Sequence, residues 1–573
     1  MGRTRPTRGA DRGPSPVMIL LVLIATIGIL AYAGFLLDPG HRGDWLPYSM
    51  VIVAESILVA QALLAMWTIL SASADPRDFA YNDAAGRLMP HARDGDDTMH
   101  LHGAPVLVDV FITVYGEDIE TVRRTVRAAV AMRGAHRTWI LDDGRSDAVR
   151  EMASDEGAWY LRRLSSNGAK AGNINHALSI AKGEYFVILD ADFVPRPELL
   201  VEMLPFFVRD DLAFVQSPQA YGNLSTVVAR GAAYMQTVFY RFIQPGRNRF
   251  NAAFCVGTNV MFRRTAIDDI GGMCTDSKSE DVWTSLHLHE RGWRSVFLPD
   301  VLAVGEAPET IEAYSKQQLR WATGGFEILL QHNPLSPRRR LTTDQRIQYL
   351  VTATFYLTGI CPLLLLLVPP LEIYFDLRPM TLDVTVFTWL LYYAGFYVMQ
   401  IVLAWFAVGS FRWETLTLAT VSFPIYSKAL WNVLTGKDVG WHVTGSASRR
   451  SPFEFIIPQV LFFVFLALTT AVAVWRDVGI GELTLATLWN ATNTVILGAF
   501  VVTAAREAHA IAHPRTVEAA PEPVTPTTPI TIVARPERMP APTDTEVPVA
   551  ASVAAPPLTR RRRAQLAEAG ARS

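Results

Sequence analysis

Apolar runs of about twenty residues, the length a helix needs to cross a bilayer, constrain this chain more than any other feature. They lie at Val17 to Leu37, Met50 to Leu70, Val351 to Phe375, Val384 to Val408, Phe455 to Trp475 and Leu485 to Val502. Hydrocarbon offers no partner for a backbone N–H or C=O, so such a run is stable there only as a helix that satisfies itself. The first run is too long for a signal-peptide core and lacks a small-residue cleavage site, so it reads as a retained span. Arg3, Arg5, Arg8 and Arg12 precede it and only Arg42 follows it, which predicts a cytoplasmic N-terminus. Two spans return the chain to the cytoplasm, so the polar region from Ser71 to Gln348 is expected there. The loops at Asp376 to Asp383 and Arg476 to Glu482 are expected outside. The reading is a multi-pass protein of the cell membrane with both termini cytoplasmic.

The remaining sequence divides accordingly. Residues 1–16 form a basic cytoplasmic N-terminus, 17–70 two spans, 71–104 a linker and 105–335 a soluble α/β domain. Residues 336–505 hold four spans with an interfacial helix and a loop over 411–450, and 506–573 a disordered cytoplasmic tail rich in Pro, Ala and Thr. The Arg560 to Arg563 run reads as solvated charge or as a contact for anionic lipid. A net charge of −2 with no large basic domain gives no sign of nucleic acid. Cys255, Cys274 and Cys361 lack metal-ligand spacing, so neither disulfide nor zinc is expected.

Between Pro105 and Asp300, the β-rich runs VLVDVFITV, TWILDDG, EYFVILDAD and AFVQSP alternate with helical patterns. That alternation predicts a mostly parallel sheet with its ligand site at the carboxyl ends of the strands. Acids cluster where those ends fall. In LDADF, Asp190 and Asp192 stand two apart on a strand and leave the same face, so both can ligate a hard divalent cation such as Mg²⁺ or Mn²⁺. Solvated strand-end acids satisfy the same pattern. In LDDG, Asp142 and Asp143 meet a turn at Gly144 and can accept hydrogen bonds from a ribose or a base, or simply build an Asp-Gly turn. KAGNIN sets Lys170 at a helix start, where an anion binds well.

SEDVWTSLHLHERGW places Glu280 and Asp281 at another helix start. Asp281 is the candidate general base and Glu280 an orienting neighbour; helix capping is the competing role for the pair. His287 and His289 stand two apart on a helix and do not face each other, so they are not read as a metal pair. QQLRW adds Gln317 for a hydroxyl, Arg320 for an anionic leaving group and Trp321 as a flat face for a sugar ring. An amphipathic membrane-surface helix explains the same residues.

Taken in order, Asp-Asp-Gly, Asp-Ala-Asp, Glu-Asp and Q-x-x-R-W, flanked by spans, closely resemble the processive family 2 glycosyltransferases, the group of cellulose, hyaluronan, chitin and curdlan synthases. The resemblance covers Ala104 to Ser451. VQSPQAY and RWATGGFEILLQHNPL look most like bacterial cellulose synthase catalytic subunits. It implies a GT-A, Rossmann-like α/β domain embedded between transmembrane helices, acting as a UDP-sugar-dependent hexosyltransferase. It further implies a divalent ion at Asp192, the base at Asp281, UDP contacts at Asp143 and Lys170, and acceptor and diphosphate contacts at Gln317, Arg320 and Trp321. Three positions depart from the pattern. Ser279 replaces a Thr, an extra residue separates Cys255 from Gly257, and in WHVTGSAS Ser446 stands where a gating loop carries Lys, although Thr444 remains to close over UDP. No β-rich regulatory domain follows Arg449 and Arg450, so no cyclic-di-GMP-binding domain is expected in this chain.

The function expected is inverting polymerisation of a β-linked glycan, with β-glucan from UDP-glucose as the best match, and its export across the membrane. The partners expected are the UDP-sugar, the growing glycan, membrane lipid and an accessory export subunit. Glu55, Gln61, Gln400, Asn490 and Asn493, with Trp389, Tyr392 and Trp405, can line a polar path or simply bond helix to helix. The competing functions are a glycolipid transferase and a non-catalytic scaffold or exporter.

Overall fold

The computed structural model describes residues 15–513 except 73–74, 92–94, 382, 410–411 and 438–449. Its centre is a seven-stranded sheet: β1 (Val108–Val114), β2 (His136–Asp142), β3 (Trp159–Arg162), β4 (Tyr185–Asp190), β5 (Leu212–Gln216), β6 (Val260–Arg263) and β7 (Arg294–Phe297), in the order β7-β5-β6-β4-β1-β2-β3. β1 reads VDVFITV and is buried along nearly its whole length, as a strand covered on both faces must be. Its residues divide with period two between two cores. Val108, Val110, Ile112 and Val114 face one, while Phe111 joins Phe186, Phe214 and Phe262 in the other.

The sheet is mostly parallel, as expected, with one antiparallel strand. β6 runs antiparallel to both β4 and β5, while β1, β2, β3 and β4 pair in parallel. That parallel block positions the acids. Its register sets Asp142 beside Val114 and Asp190 beside Thr113, so both acidic turns flank the carboxyl end of β1.

The stretch expected to be a linker belongs to the domain. Asp78 caps a helix at Phe79–Arg87, and Tyr81, Leu88, Met99 and Leu101 enter the main core. Arg77 clamps it by ion pairs to Glu202 and Asp300. No hydrophobic period marks this segment, because only scattered residues are buried.

Among the described residues, four single helices are long and apolar enough to cross a membrane: Pro16–Leu37, Trp45–Leu70, Ile457–Ile480 and Leu485–Ala512. The run expected as a third span lies in a helix pair from Thr343 to Phe375 that together is long and apolar enough to cross a membrane but is bent by 43° at residues 358–360. Gly359 lies at the bend, where an added Cβ would come within 2.0 Å of the Tyr426 ring. The Val386–Val408 helix is apolar over 23 residues and packs on the first span. The last helix continues through Arg506 to Ala512, so the expected tail begins in helix. Trp413–Val421 and Phe423–Thr435 are the two halves of the expected interfacial segment, broken at Ser422 before Pro424. Polar groups in the spans bond between helices: Gln61 to Thr354 at 2.6 Å, Tyr397 to Glu55 at 3.3 Å, and Asn490 to Thr470 at 2.8 Å. Trp405 is exposed, and the side chains of Trp389 and Gln400 lie outside the described residues.

Candidate active site

Asp142 ends β2 wholly buried, and its carboxylate is engaged by its own turn. It accepts from the Ser146 N–H at 2.7 Å, the Tyr160 hydroxyl at 2.8 Å and the Arg145 N–H at 3.0 Å. Asp143, also buried, is gripped by the fork of Arg163 through two bonds of 2.6 Å. Arg163 then donates to the carbonyls of Asn167 at 2.6 Å and Ala169 at 2.7 Å, tying the acidic turn to the start of the Ala169–Ile180 helix. The glycine at 172 is required here, since a Cβ would lie 2.8 Å from the guanidinium and 2.1 Å from the Asn167 oxygen. Sequence reasoning missed Arg163. The only available signal was a basic pair, Arg162-Arg163, following an acidic pair one strand earlier.

Lys170, on the first turn of that helix, pairs with Asp190 and donates to the Gly257 carbonyl at 2.7 Å. Burial depresses its ammonium, but Asp190, Glu280 and Asp281 outweigh this and hold it above its usual range. Asp190 is steadied by the Thr113 hydroxyl at 3.3 Å, and its N–H donates to Thr258 at 2.9 Å. Asp192 is pushed up to about 7 by burial and then by the charge of Asp190. Two strand-end carboxylates, one of them raised by the charge of the other, suit a hard divalent cation, whose charge would bring Asp192 back down. Among the described residues no three His, Cys, Asp or Glu side chains form a ready-made cage. Asp190 and Asp192 could therefore supply only part of a coordination shell.

Glu280 and Asp281 open the Glu280–Glu290 helix. Asp281 accepts from the neighbouring Val282 N–H at 2.8 Å, so it does serve the helix start, while the preceding Ser279 makes no capping bond. Glu280 is pushed up to about 7 by burial and by Asp281. Asp281 is also raised by burial, against the opposing pull of the Val282 N–H, Lys170 and Arg320. A Cβ at Gly257, whose φ is +86°, would lie 3.2 Å from an Asp281 oxygen and 3.7 Å from the Lys170 nitrogen. One bare backbone position thus separates the acid of one motif from the cation of another. The Cys255 thiol accepts from the Gly257 N–H at 3.3 Å and so shapes this turn.

The Ile311–Gln331 helix brings QQLRW to the same place. Gln317 is buried with its Oε1 lacking a hydrogen-bond partner, as expected of a group aimed at a ligand. Arg320 and Trp321 are half-buried, and the charge of Arg320 is felt at Glu280 and Asp281. Gln318, which sequence reasoning passed over, accepts from the Tyr426 hydroxyl at 2.9 Å and docks the helix on Phe423–Thr435. Thr444 and Ser446 lie outside the described residues. His289 is a core residue between the hydroxyls of Tyr349 at 2.8 Å and Ser295 at 2.9 Å, pushed down to about 3 by burial.

Comparison with known proteins agrees with this geometry. A family model described as glycosyltransferase like family 2 matches residues 104–324, and one described as cellulose synthase matches residues 268–436. Cellulose synthase 2 of Novacetimonas hansenii is 30% identical over 452 residues, covering 74% of this chain and 28% of that protein. The UDP-forming cellulose synthase catalytic subunit of Pseudomonas fluorescens (strain SBW25) is 36% identical over 275 residues, covering 46% of this chain and 37% of that protein. The chain thus spans well under half the length of these curated relatives. Among solved structures, the mannosyltransferase PcManGT from Pyrobaculum calidifontis, in complex with GDP-Man and Mn²⁺, aligns over 68% of this chain and all of its own, with a TM-score of 0.46 and 15% identity. The α/β domain is similar to family 2 glycosyltransferases and the region after it to cellulose synthases, and the two matches overlap over residues 268–324, which hold Glu280, Asp281 and QQLRW.

Proposed function

We propose that this chain polymerises a β-linked glucan from UDP-glucose with inversion at the anomeric carbon, and passes the product through its own spans. The observation that carries the reading is the single gap at Gly257, bounded by Asp281 on one side and by Lys170, paired with Asp190, on the other. Asp281 takes the proton of the acceptor hydroxyl as its oxygen attacks the anomeric carbon, and the bond from that carbon to the diphosphate breaks. Burial that raises the Asp281 carboxyl makes it a stronger base. Lys170 and Arg320 meet the charge developing on the departing UDP. Asp190 and Asp192 would hold Mg²⁺ or Mn²⁺, which would supply charge neutralisation to the diphosphate.

Asp142 and Arg163 fix the turn that carries Asp143 beside the nucleotide. Gln317 and Trp321 receive the acceptor sugar through the unpartnered amide oxygen and the indole face. The catalytic domain is cytoplasmic, where the nucleotide sugar is available, and membrane lipid and an accessory export subunit complete the assembly.

The test is radiolabel incorporation by membranes carrying this chain, comparing UDP-glucose with UDP-N-acetylglucosamine, followed by linkage-specific glycanases. Insoluble label released by cellulase is expected, and Asp281→Asn should lower its rate by about 10² to 10⁴ while leaving UDP binding intact. Label found only in lipid extracts would replace the polymerase with a glycolipid transferase. Loss of UDP affinity in Asp281→Asn would remove the base assignment.

A further inference from the structure

Ser279 makes no capping bond to the helix that Glu280 and Asp281 begin, so something else must fix where that helix starts. The loop before it is held at both ends. At Met273, the Asn175 amide donates to the carbonyl at 2.9 Å and accepts from the N–H at 2.8 Å. At the end nearer the acids, a single carboxylate oxygen of Glu327 accepts from the Ser277 hydroxyl and from the Lys278 N–H, both at 2.9 Å. Ser277 passes the restraint on, since its hydroxyl oxygen accepts from the Ser279 N–H at 3.1 Å. Beside it, Gly324 leaves room for Ser279 to lie against the helix. A Cβ there would fall 1.9 Å from the Ser279 hydroxyl and 2.8 Å from its backbone nitrogen.

Glu327 and Gly324 belong to the Ile311–Gln331 helix, which also carries QQLRW. Positions 317, 320, 324 and 327 follow the three- and four-residue steps that fall on one face of a helix. One face therefore presents Gln317 and Arg320 to the site and, two turns on, grips the loop that leads into Asp281.

We propose that Glu327 is a positioning residue for the transfer reaction: through Ser277 and Lys278 it fixes Asp281 against the helix that receives the acceptor sugar, so that base and acceptor keep a common frame. This rests on the reading of Asp281 as the base. A carboxylate anchoring a neutral hydroxyl and an amide gives strong, charge-assisted bonds, and a neutral replacement keeps the geometry with weaker ones. Displacement of a reacting group by about 1 Å costs on the order of 10² in rate.

The test compares Glu327→Ala, Glu327→Gln and Ser277→Ala in the full-length protein in detergent or nanodiscs, with two readouts. Hydrogen exchange of the amides of residues 277–283, measured without substrate, should accelerate in Glu327→Ala and less in the other two. Steady-state transfer from the UDP-sugar should show kcat reduced about 10²-fold in Glu327→Ala with an unchanged donor KM, and substantial rescue in Glu327→Gln. Added to Asp281→Asn, Glu327→Ala should cost little more, because both act through the same carboxylate. Unchanged exchange over 277–283, an unchanged kcat, or full additivity with Asp281→Asn would each overturn the proposal. Wild-type protein that makes no product would instead count against the transferase reading, while the exchange measurement would still decide whether Glu327 holds the loop.

Discussion

Glu280 and Asp281 share one helix turn, are both half-buried, and are both raised from their usual carboxylate range. A base must be ionised to accept a proton, so transfer should fall as the pH drops through the raised range in which Asp281 takes up its proton. Glu280→Gln removes the adjacent negative charge and leaves Asp281 facing Lys170 and Arg320. Its carboxyl should then ionise more readily, and the acid limb of the pH–rate profile should move to lower pH. A limb that stays in place would assign that titration to another group. Arg163 teaches a second lesson at this scale. The acids it faces were visible in LDDG, but a guanidinium that reaches across from the next strand and then onto two carbonyls is a matter of three-dimensional proximity that spacing does not encode.

Among the elements, the Ile311–Gln331 helix carries the most. Its amphipathic pattern was legible, yet the same pattern suits a helix lying in the membrane interface. Tertiary packing decided between them. Gln317, Gln318, Gly324 and Phe326 are buried, and Tyr426 is bonded to Gln318. Gly324→Ala should force the Ser279 segment away, an overpacking cost of about 1–3 kcal/mol. Thermal unfolding of the purified protein should record that loss, and transfer should fall further than stability alone explains. In the parallel block β1, β2 and β4 were likewise legible as apolar runs, the last two ending in acids, while the short β3, WYLR, was not. Antiparallel β6 was not, since VMFR is only four residues and its partners are set by the sheet around it.

Across the whole molecule, the last apolar helix touches the catalytic machinery. The Glu507 carboxylate, near its end, accepts from the Ile311 N–H at 3.1 and 3.2 Å, where the helix carrying QQLRW begins. A carboxylate at a helix N-terminus stabilises it by roughly 0.3–1 kcal/mol. Glu507→Ala should therefore lower the melting temperature slightly and raise the acceptor KM more than the donor KM; equal effects on both would mark the contact as purely structural. Sequence by itself determined the apolar runs, the α/β alternation and the acids at the strand ends, because helix length in hydrocarbon and strand period are local properties. Only the tertiary structure decided that the third run bends, that Tyr81, Leu88, Met99 and Leu101 complete the core, and that Arg163 and Glu327 hold the acids in place. Those outcomes depend on which distant surfaces meet, and burial and hydrogen bonding are settled only when they do.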